Sequence, residues 1–162
     1  MNMPIKLNPH HTTDEFAVGE FKPHGLVEMW LEGNVLRYDA VGPFNRELVR
    51  AISKAQHDIM LAAKARGACV EIVTIHESAL VTPDGLAELA LILEDVNQQG
   101  LAPLAVAYVM AADVEGAGIM APLFRKRYQD QGRIFQIFDR MEQATVWAQA
   151  QLDAAGAQAA DE

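Results

Sequence analysis

The sequence predicts an α/β domain with a mixed sheet of four or five strands, led by an antiparallel hairpin, and about four helices. Three observations predict it. Two apolar-rich runs flank Gly33-Asn34, the apolar period changes from 2 to 3.6 after Gly42-Pro43-Phe44-Asn45, and helical and strand patterns then alternate to the end. Strands joined by helices at this spacing pair in parallel, because parallel neighbours need long crossovers, whereas the leading hairpin pairs antiparallel. The 162 residues are 51% hydrophobic, enough for one domain with an ordinary core.

The first strand runs over Leu26–Glu32 and the second over Val35–Val41, where Leu36, Tyr38 and Ala40 alternate with Val35, Arg37, Asp39 and Val41. Phe16 to Lys22 is a weaker candidate for a strand ahead of them. Asn45 then caps a helix with Leu48, Ile52, Ala55, Ile59 and Ala62 on one stripe, stopped by Gly67. The β-branched run Cys69–Ile75 reads as a buried strand. In Thr82-Pro83-Asp84, Thr82 caps, Pro83 suits the first helical position and Asp84 complements the helix dipole. That helix carries Leu86, Leu89, Ala90, Leu93 and Val96 and ends near Gly100.

A short apolar strand follows at Leu104–Met110, then a glycine-containing loop over Ala111–Ala121 and a helix over Pro122–Gln131. Arg133–Phe138 is the last strand. Asp139 and Glu142 form a capping-box pattern for a final helix through Ala144, Trp147, Ala148 and Leu152. Met1–Glu15 shows no apolar period and Asp153–Glu162 offers nothing large to dock, so both ends are expected to be disordered around one domain over residues 16–152.

Charge and composition exclude several classes of function. A net charge of −9 argues against a nucleic-acid surface. No run approaches the length of a membrane span, and the start of the chain does not resemble a signal peptide. One cysteine, Cys69, cannot build a disulfide framework, so a reducing cytoplasm is the expected compartment. Inside a buried strand that thiol reads as an inert hydrophobe. His10-His11, His24 and His57 are too scattered for metal ligation, no serine stands in a nucleophile elbow, and no cofactor is expected. Gly116-Ala117-Gly118 with Arg125-Lys126-Arg127 reads as a turn and a solvated helix face, and Phe44, Phe124, Tyr128 and Trp147 as core or interface residues.

Taken together, Gly42-Pro43-Phe44-Asn45 closing a strand, Leu80-Val81-Thr82-Pro83 opening a helix, Gly100-Leu101 before an apolar strand, and Ile137-Phe138-Asp139 with Ala144 and Trp147 resemble the SpoIIAA-like family of small bacterial proteins. That family is related in fold to STAS domains and anti-sigma-factor antagonists. The resemblance spans Phe21 to Leu152. It implies a non-catalytic module that acts by protein–protein association or by binding a small apolar ligand. It also brings to mind a phosphorylation switch, but Asp84 stands where the antagonists' phosphoacceptor serine would lie in Thr82-Pro83-Asp84-Gly85-Leu86.

Open α/β sheets place ligands at the carboxyl ends of their strands, so the candidate ligand- or partner-binding residues are Phe44, Asn45, His76, Glu77, Ser78, Thr82 and Asp84. Two further readings remain: a small enzyme using a polar pocket at His76 and Glu77, and a homodimeric structural protein.

Overall fold

The structure, a computed structural model, describes residues 10–16 and 22–160. Among the described residues a six-stranded sheet runs in the order β1-β2-β3-β4-β5-β6, with β1 at His10–Thr12, β2 at Leu26–Glu32, β3 at Val35–Val41, β4 at Val70–His76, β5 at Ala105–Val109 and β6 at Ile134–Phe138. The hairpin β2–β3 is antiparallel, and β3 through β6 are parallel. The helices are α1 (Arg46–Arg66), α2 (Pro83–Gln98), α3 (Ala117–Asp130) and α4 (Met141–Ala160).

Period-2 alternation sorts each strand's side chains between two cores. Met29, Leu36, Tyr38, Val73, Ile75, Val106 and Tyr108 pack with residues of α1, α2 and α3 in the larger core. Val70, Ile72, Ala105, Ala107 and Val109 meet Ala144 and Ala148 of α4 on the opposite face. The alanines of α4 and β5 let helix and sheet approach closely, and Trp147 closes the edge against Phe138 with ring centroids 5.6 Å apart.

Three expectations need correction. The sheet has six strands, not four or five, because the expected lead-in supplies β1. His10–Thr12 pairs antiparallel with β2, and Thr13 is buried with its hydroxyl accepting from the Val27 N–H at 3.1 Å. Three residues are too few to display a period. Helix α3 starts at Ala117, within the expected loop, because Ala117 and Met120 are buried in the core. Gly116 takes the left-handed conformation ahead of it (φ 75°), where a Cβ would strike the Leu80 side chain. Finally, α4 continues to Ala160 where a ragged tail was expected. Leu152 packs against the second core, and the Ala- and Gln-rich stretch beyond it has the intrinsic propensity to prolong the helix. Residues 1–9 of the lead-in, and residues 17–21 of the suggested extra strand, lie outside the described residues.

Candidate functional site

Phe44, Ser78 and Thr82 lie in the neighbouring loops at the carboxyl edge of the parallel strands, which form a seam. Phe44 N–H donates to the Leu80 carbonyl at 2.8 Å and Thr82 N–H to the Phe44 carbonyl at 3.1 Å, so the loops after β3 and β4 run side by side. Ala79 and Glu115 continue the stitching towards the loop after β5, and the buried Ser78 hydroxyl donates to Glu115 Oε1 at 2.8 Å. Gly42 is obligatory in this seam, since a Cβ there would overlap the Ser78 carbonyl and the Phe44 ring.

Asn45 and Thr82 are helix caps. Asn45 Oδ1 accepts from Leu48 N–H at 3.0 Å and His24 N–H at 2.9 Å, while Nδ2 donates to the Lys22 carbonyl. Thr82 Oγ1 accepts from Gly85 N–H and donates to Asp84 Oδ1 at 2.6 Å. That hydrogen bond outweighs the opposing desolvation and, with the Gly85 N–H and then the Arg46 charge adding to it, holds the Asp84 carboxyl below its ordinary range.

His76 and Glu77 do not converge. His76 Nε2 lies 2.5 Å from Asp39 Oδ1 on the opposite sheet face from α1, with both side chains about half exposed. Glu77 turns the chain at φ 65° beneath a Ser78 N–H to His76 carbonyl bond, and no hydrogen bond or ion pair joins its side chain to His76. Among the described residues, no three His, Cys, Asp or Glu side chains group as metal ligands, and no helix is long and apolar enough to cross a membrane.

A cavity lies elsewhere, between the sheet and the helices α1, α2 and α3. It has a volume of about 90 Å³ and is lined mainly by apolar side chains, among them Val27, Ala40, Ile52, Val73, Ile75, Leu89, Ile92 and Val96. Phe44 is the sequence candidate that reaches it. Five aromatic rings border the space: Tyr38, Phe44, Tyr108, Phe124 and Tyr128. Tyr108 anchors an aromatic cluster, with centroids 5.1 Å from Phe124, 5.5 Å from Tyr128 and 5.0 Å from Phe135, and Tyr128 stacks on Phe135 at 4.5 Å.

Polar groups line one part of this wall. Tyr38 Oη donates to Gln56 Oε1 at 2.9 Å, and the Tyr108 and Tyr128 hydroxyls share a hydrogen bond of 2.8 Å. Burial pushes all three phenols well above their ordinary range. Glu71, on β4 between Val70 and Ile72, points to the same side as Val73 and Ile75 and is 6% exposed. Desolvation raises its carboxyl to about 7, with the Arg133 guanidinium opposing. Arg133 donates from Nε to Asn97 Oδ1 at 2.9 Å and from Nη2 to the Leu93 carbonyl at 3.4 Å. Burial, then Glu71, likewise raises the neighbouring Cys69 thiol to about 11.

Glu71 was not among the residues singled out in the sequence, although it carries one signal. A lone carboxylate sits amid Cys69–Ile75, a run otherwise suited to full burial. The tyrosines carried no comparable signal, because an aromatic residue on a core face ordinarily packs.

Comparison with protein-family models, with curated proteins and with solved structures returns no match for this chain.

Proposed function

We propose that the protein is a non-catalytic binding module, built on a SpoIIAA-like variant of the STAS-type sheet, that holds a small and largely apolar ligand between the sheet and helices α1 to α3. The cavity carries this reading. A space of about 90 Å³ in a close-packed interior leaves its lining without dispersion partners, which a ligand of matching shape would supply. Of the two modes implied by the family resemblance, protein association and ligand binding, this observation favours the second. The enzyme alternative at His76 and Glu77 has no such support, because the two side chains are not brought together.

The test is occupancy by a probe without polar groups. Dissolved xenon should shift the methyl resonances of Val27, Val73 and Ile75, and Ala40→Leu, which fills the lining, should abolish those shifts while the folded spectrum persists. Xenon shifts confined to other methyls, or undiminished in a folded Ala40→Leu protein, would overturn the reading.

A further inference from the structure

Glu71 leaves its hydrogen-bonding capacity unused. Its side chain lines the cavity, is more than nine-tenths buried, and its carboxyl makes no hydrogen bond to any described residue. Buried carboxyl groups are ordinarily bonded, so one without a protein partner on a cavity wall marks a place for a ligand atom. The neighbouring polar groups bond one another, other side chains and the backbone rather than Glu71. Tyr38 donates to Gln56, Tyr108 and Tyr128 bond each other, and the Arg133 guanidinium is held by Asn97 and the Leu93 carbonyl. None of these groups donates to Glu71, which feels Arg133 through its charge alone.

The surrounding rings narrow the choice. Tyr38, Phe44, Tyr108, Phe124 and Tyr128 border the same space, and aromatic faces attract positive charge. A neutral hydrocarbon would leave the carboxyl unpartnered, and an anion would meet it with like charge. Size sets a further limit. A cavity of 150 Å³ accepts benzene, so about 90 Å³ suits a molecule of about four to six heavy atoms.

Resting on the ligand-binding reading above, we infer that the ligand is a small organic cation, an alkylammonium whose nitrogen sits on the Glu71 carboxylate and whose apolar body fills the rest of the cavity. The charged form of Glu71 is then the binding form. The titratable and charged groups facing Glu71 are Tyr38 on β3, Cys69 at the start of β4, Tyr108 on β5, Tyr128 on α3 and Arg133 before β6. The phenols and the thiol, all raised by burial, stay protonated between pH 5 and 8. Glu71 is therefore the member of this group that titrates in that window.

The experiment uses the full chain, with n-butylammonium, 1-butanol and butyrate as probes, followed by calorimetry and by the methyl resonances of Val73 and Ile75. At pH 8 the amine should bind at least about tenfold tighter than either other probe. In Glu71→Gln the amine should weaken by about tenfold or more, while 1-butanol stays within about threefold. In the unaltered protein the amine's advantage over 1-butanol should fall between pH 8 and pH 5, which tests the idea without depending on the variant's folding. Equal affinity for amine and alcohol, a pH-independent ratio between them, or tighter binding of butyrate would overturn the cation inference and leave the ligand-binding reading standing. If no probe moves the cavity methyls, the ligand-binding reading fails and this inference fails with it.

Discussion

Replacing Glu71 by Gln keeps the side chain's shape and removes its ability to ionise, so the variant isolates what a buried carboxylate does to this fold. Desolvation raises the group from 4.5 to about 7 in the folded protein. Because the folded-state value lies above the unfolded one, the folded protein holds the proton more tightly. Its advantage is complete below about pH 4.5 and is lost as the pH rises through about 7. The difference of about 2.5 units, at about 1.4 kcal/mol per unit, amounts to about 3 kcal/mol of stability lost on the alkaline side. Glu71→Gln should therefore match the parent near pH 4.5 and exceed it by about 3 kcal/mol at pH 8, a gap of about 6 to 12 °C in Tm for a chain of this size. The assay is guanidinium unfolding of both proteins from pH 4 to 8.5, plotted as the difference between their stabilities. A difference that stays level between pH 4.5 and 7, or a Gln variant less stable than the parent at pH 8, would refute the account of Glu71 as a desolvated, unpartnered acid.

Three other outcomes are expected. Asn45→Ala removes the α1 cap and the link to the segment before β2, and should lower the chemical-denaturation stability by about 1 to 2 kcal/mol. Tyr128→Phe leaves the buried Tyr108 hydroxyl without its partner and should destabilise by about 1 to 3 kcal/mol. Adding Tyr108→Phe should recover part of that loss, as a double-mutant cycle would read. Cys69 is buried with its thiol raised to about 11, so alkylation by iodoacetamide at pH 8 should be at least about a hundredfold slower in the folded protein than in guanidinium, followed by mass spectrometry.

Much of the fold was legible because its signals are local. The alternation of Leu36, Tyr38 and Ala40 against Arg37 and Asp39 specifies which side of β3 faces the core. Asn45 and Thr82 announce their helices through hydrogen bonds that span three residues. The errors came where stability is conferred from a distance. Nothing in His10–Thr12 shows that β2 offers it an edge, and nothing in Ala117–Ala121 shows that Met120 will be buried. The cavity between the sheet and α1, α2 and α3 was illegible for a similar reason. The loops at the carboxyl edges of the strands bond one another's backbone groups, whereas the cavity lies deeper, against the sheet face that α1, α2 and α3 cover.

The sequence by itself determined the hairpin, the alternating helices and strands that follow it, the caps, and the acidic character of the chain, since each depends on residues a few positions apart. Only the tertiary structure decided where space was left. Glu71, Tyr38, Tyr108 and Tyr128 come from three strands and a helix, and they meet because the parallel register sets Tyr38, Val73 and Tyr108 abreast while α1, α2 and α3 roof the same face. A cavity is a mismatch among side chains that many elements contribute, and no single stretch of chain encodes it.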